Sequence, residues 1–265
     1  MYTRFQLAKK YLQYRVVSSN GKGHGTHSPF VYDFITKVLR DKKKYDCYEK
    51  IEKLRGQLLA DNSKIEVEDF GAGSTIIKTK ERIVKDIARS SLKPRKYAQL
   101  LYRMVNYCQP ETVLELGTSL GITTAYLASG NKKGQVYTGE GSATIASIAR
   151  KNFAQLELTN IELVEGDFSV TLPQLFSKIG QVNFAFVDGN HRKEPTLQYF
   201  DSLLKYATGS ALLVFDDIHW SKEMEEAWDI IISHPSVTLS IDLFFIGIIG
   251  INPDIKVKQH FTIAY

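Results

Sequence analysis

Five polar clusters hold the residue types that could do chemistry, and each stands directly behind an apolar run. The first run, Thr112 to Leu116, leads into Glu115-Leu116-Gly117-Thr118-Ser119-Leu120-Gly121. Gly117 permits a tight turn and Gly121 a close-packed helix, so the loop amides and the helix N-terminus face a ligand. The second run, Gln135 to Gly139, ends at Glu140-Gly141. An acidic residue about 20 positions past a glycine turn is placed to accept hydrogen bonds from ribose hydroxyls. The third, Ile161 to Val164, is followed by Gly166-Asp167-Phe168, a carboxylate and a ring that can bracket an adenine by hydrogen bond and by stacking. The fourth, Val182 to Val187, gives Asp188-Gly189-Asn190-His191, and the fifth, Ala211 to Phe215, gives Asp216-Asp217-Ile218-His219-Trp220. Taken singly, each cluster has a plain alternative: glycine serves structural turns everywhere, and Glu140 also reads as a surface glutamate. Polar residues directly after every strand of one sheet are hard to explain by stability. A dinucleotide loop G-x-G-x-x-G is not present, because Ser119 replaces the middle glycine that admits a pyrophosphate, which argues against NAD.

The elements that must position these clusters alternate. From about residue 95 to 265 apolar runs and helical patterns succeed one another as β-α units, with helices expected over Ile122 to Ser129, Thr144 to Leu156, through Leu203 and through Ile232. Val182 to Val187 is nearly all apolar, as a strand buried on both faces should be. The end differs: Val237 to Ile251 is β-rich, and His260 to Tyr265 reads as a last strand. The expected class is α/β, a Rossmann-like, mostly parallel sheet with antiparallel C-terminal strands, covering 95–265. Residues 1–94 form a mainly helical N-terminal cap. It holds a first short helix, a Gly-, Ser- and His-rich loop from Ser18 to His27, and a helix opened by Ser28-Pro29 with Phe30, Phe34, Ile35 and Leu39 on one face. A helical pattern over Cys47 to Leu59, a short strand at Ile65 to Phe70 and a glycine loop at Asp69 to Ser74 follow. In an open parallel sheet, ligands bind at the carboxyl ends of the strands, which is where all five clusters stand.

Gly117 to Gly121 behind Glu115, Glu140 after the second strand and Asp167 after the third together resemble class I S-adenosylmethionine (SAM)-dependent methyltransferases. The resemblance spans about 170 residues and implies SAM as cofactor, bound by Glu115, Gly117, Thr118, Ser119, Gly121, Thr123, Glu140, Gly141, Asp167, Phe168 and Asp188. The later strand ends resemble the small-molecule O-methyltransferase branch, the catechol O-methyltransferase-like and bacterial sugar and metabolite enzymes. That branch holds a divalent metal with an Asp after the fourth strand and an Asp-Asn pair after the fifth. Asp188, Asp216 and Asp217 match those places, with Mg²⁺ as the implied ion. Asp stands here where the family has Asn, which keeps an oxygen ligand and adds a negative charge. His191 stands where the family has its general-base lysine.

These residues suggest a mechanism. The enzyme aligns nucleophile, methyl and sulfur and deprotonates the acceptor. Three carboxylates suit a hard cation that lowers the pKa of the acceptor hydroxyl, and His191, beside Asp188, removes the proton near neutral pH. The alternative is that Asp188 supports the cofactor site, Asp216 and Asp217 cap the following helix, and His191 lines the pocket. His219 reads first as packing beside Trp220. His24 and His27 read as part of an ordered turn, or as substrate contacts on a segment over the site.

Bulk properties bound the rest. A net charge of +5 over 265 residues is too mild to argue nucleic-acid binding, although Lys and Arg concentrate before residue 105. No apolar run is long enough for a membrane span, and no leader-like apolar segment follows Met1 to Lys10. Cys47 and Cys108 have no metal-ligand spacing and read as reduced thiols. A cytoplasmic enzyme with a small-molecule substrate, no membrane partner and a homodimer contact through the N-terminal cap is the expectation. The rivals are a methyltransferase acting on RNA or protein and a non-catalytic SAM-binding or assembly module. Asp188-Gly189-Asn190-His191 lacks the Pro-Pro-aromatic motif of base-amine methyltransferases, which lowers the nitrogen-on-base version of the first. Asp69-Phe70-Gly71 spells a kinase magnesium motif, but no other kinase element accompanies it.

Overall fold

Runs of β-branched, aromatic and leucine residues with no polar face belong in strands covered on both sides. The computed structural model places them so and describes residues 1–18, 28–69, 78–252 and 255–265. His24, His27 and most of the glycine loop at 69–74 lie outside the described residues. The chain divides into two compact units, residues 1–40 with 181–265, and residues 41–180, a division that cuts across the change of pattern at 94/95.

Residues 1–40 carry α1 (Arg4–Val17) and α2 (Pro29–Phe34). Pro29 occupies the first helical position, where its missing N–H costs nothing. A π-helical turn, Ile35–Leu39, continues α2 and closes with Arg40 N donating to Ile35 O at 3.0 Å. The wider turn keeps Phe34, Ile35 and Val38 all buried.

The 41–180 unit begins with α3 (Asp46–Ala60) and an antiparallel pair, β1 (Lys64–Asp69) and β2 (Lys78–Ile83), in the register Lys64 opposite Ile83. Next come α4 (Val84–Ser91) and α5 (Arg95–Cys108). In α5 the buried Tyr97, Leu100, Leu101, Met104 and Val105 recur at helical spacing and make one apolar face. The β-α alternation follows: β3 (Thr112–Leu116), α6 (Ile122–Gly130), β4 (Gln135–Glu140), α7 (Ala143–Gln155), β5 (Ile161–Glu165) and α8 (Phe168–Ile179). The strands run parallel in the order β3-β4-β5, with Leu116 opposite Gly139 and Glu140 opposite Glu165. Helix α8 contains Pro173, which hides its helical pattern in the sequence.

Residues 181–265 contain β6 (Val182–Val187), α9 (Lys193–Tyr206), β7 (Ala207–Asp216), α10 (Lys222–Ser233), β8 (Leu239–Asp242), β9 (Ile246–Gly250) and β10 (Gln259–Thr262). Their order is β10-β8-β9-β7-β6. β6 and β7 are parallel, with Val187 opposite Phe215. β9 runs antiparallel to both β7 and β8, and β10 runs parallel to β8, so the antiparallel finish rests on β9. Each unit thus holds its own run of adjacent strands with helices between them, an α/β arrangement. Among the described residues no helix is long and apolar enough to cross a membrane.

Candidate functional site

In the 41–180 unit, parallel pairing brings the ends of β3, β4 and β5 level, and the turns beyond them are tied to one another. Gly117 has φ +106°, Ser119 +48° and Gly121 +80°, so the turn after β3 winds through left-handed backbone that side chains other than glycine rarely adopt. Gly117 N and Thr118 N donate to Gly139 O at 3.2 and 3.0 Å, pinning the turn to β4. A Cβ on Gly121 would stand 2.5 Å from the Phe153 ring of α7, so this glycine serves close packing as well as the turn.

Glu140 is the hub. One carboxylate oxygen accepts from Ser119 N at 2.8 Å and the other from Ser142 N at 3.0 Å. A carboxylate has about four acceptor sites, so these two bonds leave capacity for a ligand's hydroxyls. Burial raises its pKa above the ordinary carboxylate range, and the amides of Ser142, Ser119 and Gly141 pull the other way. Gly166 N donates to Glu140 O at 2.9 Å, which draws the turn carrying Asp167 alongside. Asp167 caps α8, accepting from Ser169 N at 2.7 Å, and the Phe168 ring lies 2.8 Å from where a Cβ on Gly139 would stand.

Glu115 is placed differently. It is fully buried, and its carboxylate accepts from the hydroxyls of Thr138 on β4, at 2.7 Å, and Thr124 on α6, at 2.5 Å. Thr118 bonds the same Thr138 hydroxyl at 2.6 Å. These groups brace the turn from inside. Thr123, one residue before Thr124, is buried on α6.

Three further groups support the turns, and the sequence reading does not single them out. Ser142 is the N-cap of α7, a role its position ahead of the helical pattern could have suggested. Glu68 on β1 accepts from Ala143 N at 2.8 Å and from the Ser142 hydroxyl at 3.4 Å. Ser91, at the end of α4, meets the Ser119 hydroxyl at 2.7 Å. No local pattern announces the last two, because their partners lie far along the chain.

In the other unit, the pairing of Val187 with Phe215 sets Asp188, just past β6, beside Asp216, the last residue of β7. His191 Nε2 stands 3.4 Å from Asp188 Oδ1. Asp188, His191 and Asp216 each offer a ligand atom, and those atoms lie within 4.8 Å of one another. Asp216 is 1% exposed, the other two half-buried. Asn190 and His191 have positive φ, 68° and 30°, so the loop is wound tightly to turn the imidazole back on Asp188. Asp217 is outside this trio. Its φ is +54°, and its N–H donates to Phe245 O at 2.7 Å, which ties the loop to the turn between β8 and β9.

His219 is not a packing residue alone. Its Nδ1 bonds Glu225 at 2.9 Å and its Nε2 bonds Asp242 at 2.8 Å, while its ring stacks on Phe244. Burial lowers its pKa, but the two carboxylates outweigh that and the net shift is upward.

Comparison with known proteins bears on the fold and the domain type. Residues 114–218 match the profile of a methyltransferase domain family. A catechol O-methyltransferase from Niastella koreensis is 32% identical over 126 residues, covering 46% of this chain and 55% of that protein. The chain thus spans about half the length of this curated relative. An O-methyltransferase from Bacillus cereus in complex with S-adenosylhomocysteine (SAH) superposes with a TM-score of 0.56 at 19% identity, over 82% of this chain and 96% of that one. The SAH-bound methyltransferase of Podospora anserina gives 0.59 at 12% identity, over 95% and 97%. The solved structures speak for the fold, and residues 114–218 are similar to a methyltransferase domain.

Proposed function

We propose that this protein transfers a methyl group from SAM to the hydroxyl of a small molecule. The 41–180 unit supports the cofactor half: Glu140 is aimed at a ribose, Asp167 and Phe168 stand at the neighbouring strand end for an adenine, and the Gly117 turn would receive the amino-acid end. The SAH-bound relatives of the same fold support the same assignment.

The observation that carries the acceptor half is the trio of Asp188, His191 and Asp216 with ligand atoms within 4.8 Å. Methyl transfer forms an oxygen–carbon bond as the carbon–sulfur bond of the sulfonium breaks, and SAH departs. The acceptor proton then needs a base. Imidazole serves near neutral pH, and a proton taken by His191 leaves a cation 3.4 Å from the Asp188 carboxylate, which stabilises it. Asp216 adds a second carboxylate to that field.

The donor set of the trio, two carboxylates and an imidazole, also fits a divalent cation. Asp188 and Asp216 would hold it with His191 as a nitrogen ligand. Bound there, the cation would polarise the acceptor hydroxyl as a Lewis acid.

Calorimetric titration with SAH, first with Mg²⁺ and then with EDTA, tests the cofactor half. Methyl transfer from labelled SAM to catechol as a probe acceptor tests the other. SAH is expected to bind wild type and His191→Ala alike. Turnover by His191→Ala should fall on the order of a hundredfold or more, the usual scale for losing a general base. No heat with SAH in either condition sinks the reading. Turnover that vanishes with EDTA while SAH still binds favours the cation over the free base.

A further inference from the structure

Helix α1 is apolar on two faces, and the fold uses one of them. On the inner face, the Tyr14 hydroxyl donates to Ile263 O, and Tyr11 packs against Phe244 and Phe245 with ring centroids 5.1 and 6.2 Å away. Lys10 pairs with Glu225 at 2.9 Å. These contacts fix the helix. On the outer face, Phe5, Ala8, Leu12 and Val16 follow one another at steps of three, four and four residues, which lines them up on one side. Phe5 is 81% exposed, Leu12 66% and Val16 84%. Among the described residues the stripe is left largely uncovered, so its apolar character calls for a partner.

The charges beside the stripe say which partner. At 100° per residue, Arg4 and Arg15 border it on one side and Lys9 on the other, all three exposed. No acidic residue occurs in α1. Two copies of this helix set face to face would bring these cations against their equals with no acid to offset them. A layer of anionic lipid headgroups matches both features, since acyl chains receive the apolar stripe and phosphates receive the arginines and the lysine.

We propose that α1 is a docking helix for an anionic membrane surface, lying in its plane with Phe5, Leu12 and Val16 below the headgroups and Arg4, Lys9 and Arg15 among the phosphates. This is contact rather than crossing. The 14 residues of α1 reach about 21 Å, short of the roughly 30 Å hydrocarbon core. The expectation of no membrane partner rests on the lack of a spanning segment and does not bear on a helix that lies flat. The proposal stands independently of the methyl-transfer reading.

Flotation of the full-length protein with mixed phosphatidylcholine–phosphatidylglycerol vesicles, and with phosphatidylcholine alone, tests it. Binding to the mixed vesicles should exceed that to the neutral ones on the order of tenfold and should drop several-fold in high salt. Phe5→Gln with Leu12→Gln should lose on the order of tenfold in binding and leave thermal unfolding unchanged, because both side chains are exposed. Arg4→Gln with Arg15→Gln should erase the preference for anionic lipid. Failure of the wild type to float with either vesicle overturns the proposal, as does equal, salt-insensitive binding to both. Sedimentation showing a dimer that Phe5→Gln with Leu12→Gln dissociates would assign the stripe to a second copy instead.

Discussion

Glu140 and Glu115 look alike in the sequence, one glutamate at each of two successive strand ends, and the structure separates them. Glu115 is walled in by the hydroxyls of Thr124 and Thr138, which come from two other elements and so leave no local trace. Glu140 stands at a turn, holds two amides, and carries a raised pKa because burial opposes its charge. The sign follows from linkage. A carboxyl whose folded pKa lies above its unfolded value adds stability only when protonated, and that contribution is lost as pH rises through the folded pKa. Ionising Glu140 as pH rises therefore works against the fold. Glu140→Gln is expected to leave the Tm of the free protein unchanged or higher at neutral pH. SAH affinity should fall about ten- to hundredfold, the scale of one lost charge-assisted bond. A clear drop in Tm with unchanged affinity would make Glu140 a strut like Glu115 instead. The spacing from the glycine turn made Glu140 legible, and the two-carboxylate end of β6 and β7 made Asp188 and Asp216 legible. That His191 joins those two while Asp217 does not depends on left-handed backbone at 190, 191 and 217, which composition does not reveal.

Elements buried on both faces announced themselves: β3, β6 and the Ala211 to Phe215 part of β7 are largely apolar runs, and β6 and β7 lie parallel with a helix between them. The β1–β2 pair did not. Its strands, KIEVED and KTKERI, are mostly charged, with Val67 the buried residue on the first, so the sequence reading marks the first strand and passes over the second. Yet this pair reaches the candidate cofactor site through Glu68, which holds the first amide of α7 and the hydroxyl of its N-cap Ser142. Since the Ser142 amide in turn holds Glu140, Glu68 positions the Glu140 carboxylate through one intermediate. Loss of a helix N-terminal acceptor costs about 0.5–2 kcal/mol. Glu68→Ala should accordingly weaken SAH binding roughly two- to thirtyfold, and Glu68→Gln, which keeps one acceptor oxygen, should restore most of it. Equal affinities in all three proteins would confine Glu68 to structural capping of α7. The same hairpin shows why position along the chain is a poor guide to role: its contacts with α7 join residues about 75 positions apart.

For the molecule as a whole, the chain ends determine how the first unit is built. The sequence places α1 in an N-terminal cap, and no local signal reports that Tyr14 bonds the backbone of Ile263, 249 positions away. Beside that contact runs a chain of charges, Lys10 to Glu225 to His219 to Asp242, with the Tyr2 hydroxyl also on Glu225. It links α1, α10 and β8. Burial raises Glu225, but Lys10, Tyr2 and His219 outweigh it and the net shift is downward, while His219 is shifted upward by its two carboxylates against its burial. The two groups bound a pH window from opposite sides. Glu225 contributes stability that is complete above its unfolded pKa and fades as pH falls through its lowered folded value. His219 contributes stability that is complete below its unfolded pKa and fades as pH rises through its raised folded value. The charge chain is therefore whole between roughly pH 4.3 and 6.5, the ordinary glutamate and histidine values, and weakens on either side. Hydrogen exchange of the α1 amides, corrected for intrinsic rates, should show greatest protection in that window and a decline on the alkaline side that His219→Gln flattens. The Tyr14 and Phe244 contacts do not titrate in this range, so they set a floor under the protection rather than its pH profile. A profile that is level across the range, or identical in His219→Gln, would mean that aromatic packing alone holds α1 and that the charges are incidental to it.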